Sequence, residues 1–252
     1  MFVCPTDSQA NEYAQSATIS GTTYNWTYTG TNYGVNTGSG VGFQYDIQGA
    51  TDGLFWYGSR VKMTDIADGT SNTVLVSEML RGEGANAAPA SSGAAAKRQY
   101  VTLNSGMGGW VPLARYQPAT PGLTSQFIAS GLPPSPLPPT STNLSDRPGS
   151  SVSNGCDSGP PPTGGGWAGN RGNAWILGRQ ATTTFNGYLK PNDTRPDCSA
   201  HGQGWFGARS LHTGGVNAAM ADGSVRFVRD SVAEDVWRGA TTRAGSEIPG
   251  DL

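Results

Sequence analysis

Aromatic and small polar residues alternate near the start of the chain and predict a β-strand there. Within residues 13–60, Tyr24, Trp26 and Tyr28 recur at a period of two, the period at which side chains of a strand share one face. We expect these rings to pair within a half-buried sheet. An exposed platform on which a carbohydrate could stack is the alternative interpretation.

A polar turn followed by a buried strand is predicted in residues 61–80, VKMTDIADGTSNTVLVSEML. Asp68-Gly69 is typical of a tight turn, and Ser71 and Asn72 can hydrogen-bond to nearby backbone groups. The segment TVLVSEM that follows is rich in β-branched residues and favours a strand.

The same segment offers oxygen atoms that a calcium ion could use. Asp65, Asp68, Asn72 and Glu78 carry carboxylate or amide oxygens, the ligand type that calcium prefers. Their spacing does not follow the EF-hand loop. Turn formation is therefore the preferred interpretation, with Asp68, Asn72 and Glu78 as calcium candidates.

A β-hairpin is predicted in residues 210–228, SLHTGGVNAAMADGSVRFV. Asp222-Gly223 separates two extended runs, which is the strongest short-range signal for a hairpin. A two-residue loop would pair Met220 with Val225. On that register one face of the hairpin belongs to the core, formed by Val216, Ala218, Met220, Val225 and Phe227.

A short helix is predicted directly after the hairpin. Ser231 and Glu234 have the spacing of a capping box, in which each satisfies a free backbone N–H of the first turn. The helix would run through Trp237 and stop near Gly245. Val236 and Trp237 would dock it on the sheet.

Composition indicates a compact β-rich core that carries long irregular loops. The 252 residues include 37 glycines and 17 prolines, but 9% are aromatic, and disordered chains are poor in aromatics. Residues 83–98 and 117–166 are predicted to be irregular loop insertions within one domain, residues 1–252. The second contains Pro-rich runs that favour extended, partly polyproline conformations.

Charge and hydropathy limit the classes of partner that this protein is expected to bind. Only 13% of residues are charged, the net charge is −2, and the basic stripe that nucleic acid requires is missing. No run reaches the ~20 apolar residues of a membrane span, and MFVCPTDSQA does not have the pattern of a signal peptide. Abundant Thr, Ser, Asn and Gly favour an extracellular or surface location.

The cysteines do not have the spacing of a zinc motif. Cys4, Cys156 and Cys198 are scattered, with none in a CxxC pair. Cys156 and Cys198 lie in Gly/Pro/Asp-rich segments, where a disulfide would stabilise the fold by roughly 2–4 kcal/mol; free thiols are the alternative. Cys4 is then left without a partner.

His212 precedes Asp222 by ten positions, but the pair is a weak catalytic signal. Asp222 already has a role in the predicted turn, and the sequence places no nucleophile beside His212. We expect His212 to bond backbone carbonyls or to pack over the sheet edge. The sequence therefore predicts no catalytic residues, and a hydrolase that uses His212 with Asp222 is the disfavoured hypothesis.

Several blocks together resemble a large bacterial prepilin-type family. ARSLHTGGVNAAMADGSVRFV resembles its C-terminal signature of a His, nine residues and Asp-Gly; DIADGTSNTVLVSE, CPTD and YLKPNDTRPDC are similar to its other blocks, in the same order. The signature residues are His212, Gly214, Gly215, Asn217, Asp222 and Gly223 near the C-terminus, with Asp68, Gly69, Ser71, Asn72 and Glu78 in the central block.

The resemblance implies an α+β, β-rich fold: a pilin-like antiparallel sheet with a C-terminal hairpin, short helices and long Gly/Pro loops. It implies a non-enzymatic structural subunit, the exposed head of a pilin-like or pseudopilin-like surface or secretion filament. Its partners would be copies of itself or other pilin-like subunits. Related pseudopilins use calcium in loops of the sheet; no other cofactor is implied.

Two expectations complete this interpretation. Attachment to a membrane would need the family's leader and apolar N-terminal helix, which this chain lacks. The alternative function is an extracellular binding module for glycans or proteins, using Trp26, Tyr28, Trp56 or the Pro-rich loop.

Overall fold

A computed structural model describes residues 2–40, 44–45, 47–84, 97–103, 166–200, 203–245 and 252. Within these ranges the chain forms eleven strands in three sheets, with short helices between them. The fold is β-rich, with few helices and mostly antiparallel pairing, consistent with the predicted α+β class. Within the described ranges, no helix is both long enough and apolar enough to cross a bilayer.

The first sheet is a two-stranded hairpin that exposes two of its aromatic rings. Strands β1 (Glu12–Ile19) and β2 (Thr22–Thr29) pair antiparallel. The predicted strand is confirmed. The expected half-burial is confirmed for Tyr28 but wrong for Tyr24 and Trp26, which are 53% and 38% exposed. The base of the hairpin is packed, because Tyr13, opposite Tyr28, is buried and donates to the carbonyl of Gly82; Tyr24 and Trp26 lie nearer the tip.

The central sheet carries the core and has the strand order β11-β10-β4-β3-β7. Neighbours pair antiparallel except β3 with β7. The predicted buried strand is confirmed as β4. The five strands are β3 (Tyr33–Asn36), β4 (Val74–Glu78), β7 (Thr184–Phe185), β10 (Gly215–Met220) and β11 (Val225–Arg229).

The third sheet has the order β6-β5-β8-β9, with β5 and β8 parallel. Its strands are β5 (Tyr100–Leu103), β6 (Gly166–Ala168), β8 (Asp197–Ala200) and β9 (Gln203–Trp205). Two α-helices lie wholly within the described residues, α1 (Gln180–Thr183) and α2 (Glu234–Thr241). Residues 97–98 are also helical, and a 3₁₀ turn lies at Met63–Asp65.

The C-terminal hairpin forms as predicted, but with a different register. Ala219 pairs with Val225, and the backbone N of Met220 donates to the carbonyl of Ser224 at 2.8 Å. The three residues between Met220 and Ser224 end in Gly223, at a φ of 87°. Such a loop is a type I turn closed by a left-handed residue. Because a shift of one residue reverses the face of every side chain, Val225 and Phe227 point outward, 68% and 45% exposed, and Val228 is buried instead.

The helix after the hairpin begins later than predicted and has no capping box. Its N-cap is Ala233, without a side-chain hydrogen bond, and it ends at Thr241 rather than near Gly245. The Glu234 carboxylate binds Arg195 and Arg238, 3.1 Å and 3.2 Å away. These ion pairs occupy the group that a capping box would use.

The predicted docking of this helix is confirmed. Trp237 is fully buried, its ring stacks on Phe185 at a centroid distance of 6.0 Å, and Val236 packs at the margin of the same core. The indole Nε1 donates to the carbonyl of Leu189 at 3.0 Å. An aromatic pair of this kind stabilises by about 0.5–1.5 kcal/mol beyond the area that it buries.

Most of the predicted loop insertions lies outside the described residues. Of residues 83–98, only 83–84 and 97–98 are described, and Arg98 at that end is buried against Asp7. Of residues 117–166, only Gly166, in β6, is described.

Replacing Gly223 by Val should destabilise the domain. Gly223 is in the left-handed region, and an added Cβ would meet open space, so backbone strain is the cost. That strain amounts to about 1–2 kcal/mol, measured as lost unfolding free energy in chemical denaturation. Gly178→Val is the control, because that glycine also faces open space but is not at positive φ. Equal stability of both variants would contradict the turn assignment.

Candidate functional site

Three side chains that are far apart in the sequence converge where the N-terminal segment meets the central sheet. Sγ of Cys4 lies 3.6 Å from Nε2 of His212 and 3.8 Å from Oε1 of Glu78. The same Nε2 and Oε1 atoms are 3.1 Å apart. Cys4 and Glu78 are 7% and 3% exposed, whereas the His212 side chain is 29% exposed. The cluster therefore opens to solvent on the imidazole side.

Residues of strand β10 position two members of this cluster, Glu78 and His212. The Glu78 carboxylate accepts hydrogen bonds from the backbone N and from Nδ2 of Asn217, at 2.7 Å and 3.2 Å. The backbone N of His212 donates to Oγ of Ser210 at 3.1 Å, and that hydroxyl donates to the carbonyl of Gly215 at 2.7 Å. Pairing of β4 with β10 thus brings the end of β4 next to the turn that carries His212.

The N-terminal segment supplies the third member. The backbone N of Cys4 donates to Oδ1 of Asn32 at 3.0 Å, and the Asn32 amide donates to Asp7 and to the carbonyl of Met79. The Cys4 thiol also lies 3.1 Å from Oγ1 of Thr6. A single buried asparagine therefore joins the N-terminal segment to the end of β4.

A buried ionic cluster fixes the same segment. The Asp7 carboxylate lies 2.6 Å from Nη1 of Arg98 and 3.3 Å from Nε of Arg81. Burial by itself raises the pKa of Asp7, but hydrogen bonds from Asn32, Arg98 and the backbone N–H groups of Gln9 and Arg81 lower it below its usual value. Asp7 therefore stays ionised between its two arginines.

The geometry is that of converging ligands rather than of a nucleophilic triad. In such a triad one imidazole nitrogen faces the nucleophile and the other is held by the carboxylate. Here Nε2 of His212 faces both the thiol and the carboxylate. Of the described residues, Cys4, Glu78 and His212 form the group of three or more His, Cys, Asp or Glu able to hold a metal, with all ligand atoms within 4.8 Å.

The cluster lies next to the phenol of Tyr33. Burial raises the pKa of the Tyr33 phenol, and Cys4 and Glu78 raise it further. Cys4 and Glu78 therefore lie close enough to Tyr33 to disfavour ionisation of its phenol.

The family model described as "Protein of unknown function (DUF1559)" matches residues 1–235. The chain belongs to the DUF1559 family. No curated protein and no solved structure matches it. The matched region of this DUF1559 domain contains all three cluster residues.

Asp222 lies far from the cluster, in the hairpin turn of the DUF1559 domain. Its carboxylate accepts hydrogen bonds from Oγ and N of Ser224, at 2.7 Å and 2.9 Å, which lower the pKa of Asp222. His212 precedes β10 and Asp222 follows it, and six residues of strand span about 20 Å. The structure therefore does not bring His212 and Asp222 together.

The calcium candidates do not converge in the DUF1559 domain. The Asp68 carboxylate accepts bonds from Oγ1 of Thr242 and N of Gly245, at 3.3 Å and 2.8 Å, and Asn72 donates to the Asp68 carbonyl at 2.9 Å. These residues precede β4, whereas Glu78 ends it. Asp68 and Asn72 therefore stabilise the local turn. Ser71 is exposed in the same turn, and Gly69 has a φ of 94°.

Local backbone geometry accounts for the two glycines of the signature near His212. Gly214 has a φ of 83°, in the region that favours glycine. A Cβ on Gly215 would lie 2.2 Å from the carbonyl oxygen of Val228. The first glycine therefore permits the turn, and the second permits close pairing of β10 with β11.

The cysteine predictions have different outcomes. Cys198 is buried in β8, whereas Cys156 lies outside the described residues, so their pairing stays a prediction. Cys4 is a free, buried thiol. Sequence reasoning singled out His212 and Glu78 separately and left Cys4 without a partner. The one available signal was that each residue lies in a different block of the family resemblance.

Replacing Asp7 by Asn should destabilise the DUF1559 domain by about 3–5 kcal/mol at neutral pH, because it leaves two buried arginines without their shared counter-charge. The lowered pKa of Asp7 gives the sign of the pH effect. Its contribution is complete above the ordinary value near ~3.9 and is lost as the pH falls through the folded-state pKa.

Chemical denaturation near neutral pH and in acid would measure this difference. The gap between the wild type and Asp7→Asn should narrow below about pH 4. Glu12→Gln, at an exposed position of β1, is the matched control and should change little. A stability of Asp7→Asn equal to that of this control would refute the role of the buried cluster.

Proposed function

We propose that this protein is a non-enzymatic structural subunit, the exposed head domain of a type IV pilin-like or pseudopilin-like surface or secretion filament. The observation that supports this most directly is that three signature blocks meet at the junction of the N-terminal segment and the central sheet. Cys4, Glu78 and His212 each come from a different block. We propose copies of itself or other pilin-like subunits as partners, at the cell surface or outside the cell.

The attachment of the N-terminal segment suits a head domain. The backbone N of Asn32 donates to the carbonyl of Phe2 at 2.8 Å, its side chain holds Cys4, and Asp7 is tied to Arg81 and Arg98. In a subunit with an N-terminal helix, this junction would carry the load between the filament and the head. The buried ion pairs of Asp7 would hold the N-terminal segment in one orientation relative to the head.

The site geometry also favours a non-enzymatic role. The nitrogen of His212 that faces the thiol also faces Glu78, so the carboxylate does not orient the imidazole through its other nitrogen. Asp222 serves the hairpin turn. The polar residues of the signature thus have structural tasks, and we propose no catalytic residue.

The native N-terminus tests the head-domain proposal. Terminal sequencing and intact mass of the protein from its source cells should give a mature chain with an apolar segment of ~20 or more residues upstream of Cys4. Such a chain should require detergent or filament shearing for release. A mature native chain without that segment would overturn the proposal.

A second candidate function is glycan binding by the β1–β2 hairpin. Tyr24, Trp26 and Tyr28 share one face of β2, and the rings of Trp26 and Tyr28 meet edge to face with centroids 6.1 Å apart. Exposed aromatic rings form an apolar patch on which the faces of sugar rings can pack. Trp56, in contrast, is covered by the Arg243 guanidinium 5.0 Å from its ring, and is a weaker candidate.

A glycan array would test this alternative. Binding by the wild type should be largely lost in Trp26→Ala, because the substitution removes the central ring of the exposed face. Phe227→Ala, at an exposed aromatic of β11, should bind like the wild type. Absence of binding by the wild type, or equal loss in both variants, would exclude the hairpin as the glycan site.

A further inference from the structure

We propose that Cys4, Glu78 and His212 bind one zinc ion that joins the N-terminal segment to the central sheet. This inference does not rest on the filament proposal, since it depends only on the three side chains and their surroundings. The sequence does not reveal the site, because its ligands are separated by 74 and 134 residues. Zinc motifs recognised from sequence have closely spaced pairs of ligands.

The separations of the three donor atoms match those around a tetrahedral zinc ion. Zinc bonds of about 2.3 Å to sulfur and 2.0–2.1 Å to nitrogen or oxygen give edges of about 3.6 Å from sulfur and about 3.3 Å between nitrogen and oxygen. The corresponding separations are 3.6 Å and 3.8 Å from Sγ of Cys4, and 3.1 Å between Nε2 of His212 and Oε1 of Glu78. Shifts of a few tenths of an ångström would therefore complete the coordination.

The donor types select zinc rather than calcium. Thiolate and imidazole are ligands of zinc and its transition-metal neighbours, whereas calcium takes oxygen ligands. A Cys4 thiolate and the Glu78 carboxylate together balance the two positive charges of the ion. On binding, the thiol proton passes to solvent, and His212 ligates as a neutral imidazole through Nε2 with its proton on Nδ1, because both ligand atoms must be electron-pair donors.

A supporting shell already holds the ligands. Asn217 binds Glu78 through two donors, Asn32 holds the backbone of Cys4, and Ser210 holds the backbone of His212. Support of this kind keeps metal ligands in position. The partly exposed imidazole marks the side from which an ion would enter and where a water molecule would occupy the fourth position.

Metal binding to the purified full chain tests the proposal. After removal of metal with a chelator, zinc should return at one equivalent per chain by elemental analysis. Cobalt(II) should give a thiolate-to-metal charge-transfer band that saturates at one equivalent and is bleached by zinc. Cys4→Ser and His212→Gln should each weaken binding at least about tenfold, because each removes one of three ligands.

His201→Gln is the matched control, because it changes the other histidine of the chain and should bind zinc like the wild type. Three results would overturn the proposal: no stoichiometric zinc, a cobalt spectrum without the thiolate band, or unchanged binding in Cys4→Ser and His212→Gln. Equal weakening by His201→Gln and His212→Gln would also overturn it.

A measurement on the unaltered chain covers the case in which the variants fail to fold. Zinc should slow alkylation of the peptide that contains Cys4, as followed by mass spectrometry, because the metal-bound sulfur no longer reacts as a free thiolate. An alkylation rate at Cys4 that is the same with and without zinc would overturn the proposal. Neither outcome bears on the native N-terminus, so this inference and the filament proposal fail independently.

Discussion

The rest of this structure depends on the hydrogen bonds that buried arginine side chains donate to backbone carbonyls. Arg81 donates to the carbonyls of Asp7 and Ala10, Arg171 to those of Gln180, Ala181, Thr184 and Gly207, and Arg209 to those of Asp193 and Arg195. Irregular backbone cannot be buried unless its polar groups find partners. The five N–H donors of a guanidinium supply them, which suits a chain rich in glycine and proline.

Two buried aspartates supply negative charge next to these buried arginines. Asp7 lies between Arg81 and Arg98, and Asp197 lies 3.2 Å from Arg171 and 2.8 Å from Arg209. Burial lowers the pKa of Arg171 to about 10, although the nearby Asp197 opposes this shift. The Arg171 guanidinium therefore remains charged at neutral pH beside Asp197.

These two ionic clusters flank the Cys4–Glu78–His212 site. Asp7 is three residues from Cys4, and Arg209 is three residues from His212. The backbone N of Arg209 also donates to the carbonyl of Glu78 at 2.9 Å. The charged core therefore holds all three segments that supply the candidate ligands, and the site depends on the same interactions as the fold.

The sequence by itself determined the features that local chemistry controls. The period of two in β2, the β-branched run of β4 and the Asp222-Gly223 turn each follow from backbone preferences over a few residues. Each motif of the family resemblance is a contiguous run of residues and can be recognised without the structure. The resemblance therefore correctly indicated a domain of unknown function and a β-rich fold.

Only the tertiary structure decided register, exposure and convergence. The three-residue loop turned Val225 and Phe227 outward, the position of Tyr24 and Trp26 near the tip of the first hairpin left them in solvent, and Glu234 pairs with arginines instead of capping the helix. The cluster of Cys4, Glu78 and His212 is the clearest case. Its members meet through pairing of β4 with β10 and burial of Asp7, and no local pattern records such long-range contacts.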